Sequence, residues 1–276
     1  MENLNRKDIF DNIKRIVIKV GTSTLTYPDM SLNLERIAGL AREISQLRQN
    51  EKDVIFVKSG AVAAGMGKLG WKNRPRTIPG QQAAAALGQS HLMHTYEEIF
   101  GEYGQLVAQI LLTQEDISDR KRYTNASNTL STLLQCGVIP IINENDTVAV
   151  DEIKFGDNDT LSAMVTNLIK ADLLLILSDV NGLYDNSGQI IGIVQSITPE
   201  IKEMAGGKGS EVSQGGMLTK LRAAEIVTGA GEMMVIANGR KSGIITQVLE
   251  GYEEGTLFLP RSDKMSGKKR WIAYSQ

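Results

Sequence analysis

Short apolar runs alternate with longer segments of helical spacing along most of the chain. The runs are rich in leucine and β-branched residues, which is typical of strands buried on both faces. The longer segments repeat apolar residues every three or four positions, as Leu34, Ile37 and Leu40 do behind a candidate cap at Ser31. The pattern predicts strands at 15–20, 53–57, 106–112, 138–142, 172–177 and 233–237, and helices at 32–49, 80–100, 124–136, 158–170, 216–230 and 241–250.

This alternation predicts an α/β fold in which a largely parallel sheet is covered by helices on both faces. No internal repeat and no linker-like composition interrupts residues 1–260, so one domain is expected there. Because open α/β sheets bind ligands beyond the carboxyl ends of their strands, chemistry is expected after Val20, Val57, Ile142 and Leu177.

Composition narrows the class of protein. The 276 residues are 42% hydrophobic and 22% charged with a net charge of −2, which excludes a disordered chain, a fibre or an overall field for nucleic acid. Residues 261–276 form a basic tail with five Lys and Arg residues and one acidic residue, Asp263. Such a tail is usually only solvated, and the alternative is that it binds RNA in addition to the main function. The single cysteine, Cys136, has apolar neighbours and is expected to be buried. A polar N-terminus and short apolar runs predict a cytoplasmic protein.

Two predicted strands end in glycine turns that carry a lysine, Lys19-Val20-Gly21 and Lys58-Ser59-Gly60. Such turns direct backbone N–H groups at an anion, and Lys19 would add a positive charge beside a phosphate. The alternative is ordinary termination of a strand by glycine.

Residues 143–160 hold six carboxylates against one lysine, Lys154. The segment directly follows a buried strand, and Asp157-Asn158-Asp159 opens the next predicted helix. Carboxylates and amides at this edge would suit an ammonium group or a metal-bound phosphate, and an acidic surface hairpin is the alternative.

Two further segments suit a nucleotide. Ser178-Asp179 follows the strand at 172–177, and a Gly pair at 215–216 precedes a helix with Lys220 one turn inside it. A lysine so placed can reach a phosphate held at the helix N-terminus, whereas a flexible loop before a surface helix is the alternative.

Several familiar motifs are absent or misplaced. Gly65–Gly70 matches G-x-G-x-x-G but does not follow a strand directly, and no P-loop sequence occurs. His91 and His94 lack a zinc-ligand pattern, and no Ser-His-Asp set stands out. Lysines at glycine turns, a carboxylate cluster and no general-base histidine together indicate phosphoryl transfer by positioning and charge.

The ordered set of local motifs is more specific. It reads IKVGTS, VKSGAVAAG, LLTQED, VIPIINENDTVA, IKFGDND, SDVNGLY, GGMLTK and KKRWI, and it resembles the amino acid kinase family, in particular members that phosphorylate glutamate, over residues 14–272. The resemblance implies an open αβα sandwich around a mainly parallel eight-stranded sheet. It also implies an amino-acid-binding half at about 14–170, an ATP-binding half at about 171–260, and the use of ATP with Mg²⁺.

The resemblance assigns roles residue by residue. Lys19 contacts the transferring phosphate, Lys220 lies near the departing phosphate and Asp159 orients both lysines. Acceptor contacts are implied at Ser59, Gly60, Asn143, Asp146, Asp157 and Asn158, and ATP contacts at Lys19, Ser178, Asp179, Gln214, Gly215, Gly216, Met217, Leu218, Thr219 and Lys220. No residue is assigned as a direct metal ligand.

The expected activity is ATP-dependent phosphorylation of the γ-carboxylate of L-glutamate to γ-glutamyl phosphate, the first step of proline biosynthesis. A carboxylate with a reference pKa of about 4.3 is ionised at neutral pH, so no general base is needed. The alternatives are a family member acting on acetylglutamate, aspartate, carbamate or a nucleoside monophosphate, and a non-catalytic ligand sensor. The family also implies a homo-oligomer, proline as a feedback inhibitor and hand-off of the labile product to a reductase.

Two departures from the family pattern are visible. Ser213-Gln214 stands where the nucleotide loop of the family usually reads Gly-Thr, so Gln214 would alter one phosphate or ribose contact. Many relatives also continue into an RNA-binding-type domain, whereas this sequence ends at Gln276.

Overall fold

The computed structural model describes residues 5–27, 29, 31–149, 158–206 and 216–261. The strands are β1 Arg15–Val20, β2 Asp53–Lys58, β3 Val107–Leu112, β4 Ile139–Glu144, β5 Leu173–Ser178, β6 Ile193–Val194, β7 Met233–Asn238 and β8 Thr256–Phe258. The helices are α1 Arg6–Phe10, α2 Thr22–Leu25, α3 Leu34–Gln49, α4 Ala61–Leu69, α5 Ile78–Gly101, α6 Gln114–Ser118, α7 Arg120–Gln135, α8 Asn158–Ile169, α9 Pro199–Ala205, α10 Met217–Ala230 and α11 Ile244–Leu249.

The strands form one sheet in the order β3-β4-β2-β1-β5-β7-β8-β6. Every pairing between these strands is parallel except that of β7 with β8. The first strand of the chain, β1, therefore lies in the middle, between β2 and β5. The parallel arrangement brings the carboxyl ends of β1, β2, β4 and β5 to one edge.

Alternation along the strands divides the core into two layers. Ile16 and Ile18 of β1 face the cluster covered by α3, α5 and α11, whereas Val17 faces the cluster covered by α7, α8 and α10. Because both faces are covered, the central strands are apolar almost throughout, and this explains the continuous runs in the sequence.

The six predicted strands and six predicted helices are all present, with ends that differ by a few residues. Three expectations were wrong or incomplete. Asn33, and not Ser31, caps α3, because its side chain accepts a hydrogen bond from the Arg36 N–H. Cys136 is exposed, because it is the C-cap residue of α7 and lies outside the packed face of that helix. The stretch after Gly60, which the composition left open between a helix start and a loop, is a nine-residue helix, α4.

The close packing of α4 on α5 depends on two glycines. A Cβ at Gly65 would lie 1.8 Å from the Ala84 carbonyl oxygen, and a Cβ at Gly88 would lie 1.8 Å from the Ala61 carbonyl oxygen. Any side chain at either position would force the two helices apart. Helix α4, held in place by this contact, forms one wall of the cleft described next through Ala61, Val62, Ala63 and Met66.

Candidate active site

A cleft of about 690 Å³ opens at the edge of the sheet where β1, β2, β4 and β5 end. Most of the sequence-predicted site residues line it, namely Lys19, Ser59, Gly60, Asn143, Asp146, Asn158, Ser178, Asp179, Gly216, Met217 and Lys220. Asp159 and Thr219 do not line the cleft but bond to residues that do. Leu218 is 45% exposed and does not line it. Asp157, Gln214 and Gly215 lie outside the described residues.

Asp159 joins two lysines from distant parts of the chain. Its Oδ1 lies 2.5 Å from Lys19 Nζ, and its Oδ2 lies 3.2 Å from Lys220 Nζ and accepts a 3.1 Å hydrogen bond from Thr219 Oγ1. Asp159 is fully buried, and both lysines are at most 6% exposed. The three elements that meet here are β1, α8 and α10, so a single carboxylate fixes two cations at the cleft floor.

The pKa of Asp159 reflects this arrangement. Burial alone would raise that pKa, but the ammonium groups of Lys19 and Lys220, and the hydrogen bonds they donate, outweigh burial and hold it below its usual range. Asp159 is therefore an anion at neutral pH, and it balances part of the charge of the two lysines.

Amide and hydroxyl groups form a second cluster, on the β2–β4 side of the cleft. The Asn158 side-chain amide nitrogen donates toward Ser59 Oγ at 2.8 Å, the Lys58 carbonyl oxygen at 3.2 Å and Asn143 Oδ1 at 3.2 Å. Its carbonyl oxygen, Oδ1, is buried and has no donor among the described residues. Asp146 lines the cleft beside this cluster, so an ammonium group here would meet a carboxylate and an unsatisfied amide oxygen.

Besides the four-residue helix α2 at Gly21, two longer helices start at the cleft without a side-chain cap. Gly60 is the N-cap of α4 with φ of 101°, a left-handed conformation that favours glycine, and Gly216 is the N-cap of α10. The first N–H groups of a helix lack partners within the helix, and uncapped starts can bind anions. Both helix starts are therefore suited to carboxylate or phosphate oxygens.

Sequence reasoning missed two cations that line the cleft, Lys72 and Arg74, in the segment between α4 and α5. Both are exposed, and neither makes an ion pair or hydrogen bond within the described ranges. The basic composition of residues 72–76 was a usable signal, but nothing in the sequence places that loop over the ends of the strands.

The described residues contain neither a metal-binding cluster nor a membrane-spanning helix. No group of three or more His, Cys, Asp or Glu side chains there is arranged to hold a metal ion. No helix within the same ranges is long and apolar enough to cross a membrane.

Comparison with known proteins gives a consistent result. The model of the amino acid kinase family matches residues 14–238. The chain is 54% identical to a glutamate 5-kinase of Clostridium acetobutylicum over 263 residues, which are 93% of this chain and 98% of that protein. It is 52% identical to glutamate 5-kinases of Moorella thermoacetica and Geobacter metallireducens, with 95% and 98% of this chain covered, against 71% and 74% of theirs.

Solved structures support the fold. A carbamate kinase from Giardia lamblia bound to AMP-PNP superposes with a TM-score of 0.65 at 14% identity, covering 91% of this chain and 99% of that one. An N-acetylglutamate synthase from Neisseria gonorrhoeae, complexed with coenzyme A and N-acetyl-glutamate, gives 0.68 at 14% identity, covering 94% and 63%. The expected eight-stranded αβα architecture is thus confirmed.

Proposed function

The chain belongs to the amino acid kinase family, and we propose that it transfers the γ-phosphate of ATP to the γ-carboxylate of L-glutamate, forming γ-glutamyl phosphate for proline biosynthesis. The relatives that are about half identical over nearly the whole chain are glutamate 5-kinases. The structural observation that carries the proposal is the Lys19–Asp159–Lys220 arrangement on the floor of the cleft.

The chemistry requires two anions to meet. An oxygen of the γ-carboxylate attacks the γ-phosphorus, the bond from that phosphorus to the β–γ bridging oxygen breaks, and ADP leaves with the electron pair. No proton moves, because the acceptor is already ionised. We assign Lys19 to the transferring phosphate and Lys220 to the departing phosphate, where preorganised cations stabilise charge that develops in the transition state. Asp159 acts as a positioning residue for both.

ATP is assigned to the side of the cleft formed by Ser178, Asp179 and the start of α10. The uncapped N–H groups after Gly216 suit phosphate oxygens, and Met217, Leu218 and Thr219 follow in the same turn. Gln214 and Gly215 complete the assigned segment. Mg²⁺ would arrive with ATP and neutralise phosphate charge; phosphate and water oxygens can supply most of its ligands, and Asp179 is a carboxylate of suitable chemistry in the cleft.

Glutamate is assigned to the opposite side of the cleft. Asp146 and the free Asn158 Oδ1 suit the ammonium group, with Ser59, Gly60, Asn143 and Asp157 around the acceptor. Lys72 and Arg74 are the two lining cations that Asp159 does not engage, and we assign the α-carboxylate to them. This arrangement disfavours acetylglutamate and nucleoside monophosphates, which lack a free ammonium group at that place.

Four further expectations remain part of the proposal. They are an amino-acid-binding half at about 14–170 with an ATP-binding half at about 171–260, a cytoplasmic homo-oligomer, proline as feedback inhibitor, and hand-off of the product to a reductase. The family supports the first three, and the instability of an acyl phosphate supports the last. A kinase assay with added proline tests the inhibition, and activity unchanged at millimolar proline contradicts it.

The activity itself is tested with ATP, Mg²⁺ and hydroxylamine, which traps an acyl phosphate as a coloured hydroxamate. The panel of acceptors is glutamate, acetylglutamate, aspartate, carbamate and a nucleoside monophosphate, with ADP release measured in parallel. We expect hydroxamate and ADP in equal amounts with glutamate. A preference for another acceptor contradicts the assignment of glutamate, and binding of ATP and glutamate without ADP release indicates a ligand sensor.

A further inference from the structure

Lys58 is a fully buried lysine that the proposed chemistry does not use. It is the last residue of β2 and directly precedes Ser59. Alternation along β2 places its side chain on the same face as Phe56, toward α5. Lys19 and Glu144 lie on the opposite face of the sheet. Each follows by two positions a residue whose side chain packs there, Val17 and Ile142 respectively. Lys58 therefore lies behind the acceptor cluster and apart from the two catalytic lysines.

The surroundings of the Lys58 amine are almost entirely neutral. Nζ donates to Gln89 Oε1 at 2.8 Å and lies 5.8 Å from the centre of the Tyr96 ring. Gln109 donates to the same Gln89 oxygen at 3.4 Å. Gln89 Nε2 and the Tyr96 hydroxyl have no partner in the described part of the chain. One amide oxygen and one ring face are weak compensation for a buried charge.

One carboxylate acts on this amine from the cleft. Burial lowers the pKa of Lys58 to about 7, and the charge of Asp146 partly opposes that shift. The other described neighbours carry no charge: α5 contributes Gln89 and Tyr96, whose phenol pKa is raised by burial, β3 contributes Gln109, and the paired position on β1 is Val20. Among the described residues, Asp146 is thus the charge that acts on the Lys58 amine.

The backbone of Lys58 is also part of the acceptor cluster. Its carbonyl oxygen accepts from the Asn158 amide that also contacts Ser59 Oγ. A change of charge at the Lys58 amine therefore acts on two groups assigned to glutamate: directly on Asp146 through its field, and on Asn158 through the end of β2.

We propose that Lys58 is a positioning residue for the acceptor. The buried ammonium group of Lys58 competes with the ammonium group of glutamate for the carboxylate of Asp146. Glutamate binding is therefore coupled to the loss of a proton from Lys58. The inference rests on the proposed function, because it takes Asp146 as the partner of the substrate. The ammonium groups of Lys58 and glutamate repel each other when both are close to Asp146. Lys58 becomes neutral, and the repulsion ends, when it releases a proton. By linkage, a rise in pH through neutrality then tightens glutamate binding.

The test is the pH dependence of the glutamate KM between pH 6 and 8.5 at saturating ATP and Mg²⁺. In the unmodified protein we expect KM to fall roughly three- to tenfold as pH rises, which corresponds to a displacement of the Lys58 pKa by half a unit to one unit on binding. In Lys58→Met, KM should be low and constant over this range. Calorimetric titration of glutamate at pH 7 in two buffers of different ionisation enthalpy should show proton release from the unmodified protein and none from Lys58→Met.

Lys52→Met is the matched control, because Lys52 immediately precedes β2 and its side-chain amine donates to the Ile13 carbonyl oxygen. It should keep the pH profile of the unmodified protein. If Lys58→Met does not fold, Lys58→Gln replaces it with the same expectation. A pH-independent KM in the unmodified protein, a KM that rises with pH, or the same profile in the Lys58 variant overturns this inference. Failure to form hydroxamate from glutamate instead contradicts the proposed function, which keeps the two outcomes distinct.

Discussion

Replacing Asp159 with asparagine removes the one negative charge between Lys19 and Lys220 while preserving the volume of the side chain. Both lysines then remain buried without the carboxylate that contacts the two of them. Removing one partner of a buried ion pair costs about 3–5 kcal/mol. For a chain of this size, each kcal/mol corresponds to roughly 2–4 °C, so the melting temperature should fall by roughly 6–20 °C.

Asp53→Asn is the matched control for this experiment. Asp53 also lies between two cations, at 2.9 Å from Arg15 Nη2 and 3.3 Å from Arg48 Nη1, but its side chain is 29% exposed. Water screens this pair, so its loss should cost no more than about 1 kcal/mol. The contrast between the two variants isolates the effect of burial from the loss of a carboxylate as such.

The assay is thermal unfolding with and without ATP and Mg²⁺. The triphosphate restores negative charge beside the two lysines, so ATP should stabilise Asp159→Asn by a larger increment than it stabilises the unmodified protein. The kcat for glutamate should nevertheless fall by on the order of 10²–10³, because the lysines are no longer held in place. A melting temperature within about 2 °C of the unmodified protein, or an ATP increment no larger than normal, would refute the reasoning.

Three other predictions follow from the same site. Lys19→Ala or Lys220→Ala should lower kcat by on the order of 10²–10³ with little change in the glutamate KM, and steady-state kinetics that show the opposite division contradict the assigned roles. Asp146→Ala should raise the glutamate KM strongly with a smaller effect on kcat, and an unchanged KM removes Asp146 from the acceptor site. The pKa of Asp159 is lower folded than unfolded, so its stabilising contribution is present above about pH 4 and is lost as pH falls through the folded value; acid unfolding curves should show this loss in the unmodified protein and not in Asp159→Asn.

The main elements were predictable because burial leaves a strong mark on sequence. The run Leu173–Ser178 of β5 is apolar except at its end, as a strand covered on both faces must be. The two strands that the pattern missed, β6 and β8, have two and three residues, too few for any periodicity. The sequence left helix α4 open between a helix start and a loop, because its residues are small, and tertiary contact through Gly65 and Gly88 makes them a helical packing surface.

Some residues of the candidate site were predictable from the sequence, and others depend on packing between distant elements. Residues placed at strand ends, such as Lys19 and Ser178, are predictable because topology brings the ends of parallel strands together. The bond from Asp159 to Lys220 spans 61 residues and depends on how α8 packs on α10, which local pattern does not reveal. Lys58 reads in sequence as the first polar residue after a strand, and only the packing of α5 shows that it is buried.

The position of β1 in the sheet has a consequence for synthesis on the ribosome. β1 is the first strand to emerge, yet it pairs with β5, where Ile16 lies opposite Leu173. The arrangement of Lys19 and Lys220 around Asp159 is complete only after Lys220 has been synthesised. At about 5–20 residues per second, the 201 residues from Val20 to Lys220 take about 10–40 s to translate. For most of its elongation, the nascent chain therefore lacks the strand that pairs with one edge of β1. Its capacity for phosphoryl transfer arises late, when the last third of the polypeptide has left the exit tunnel.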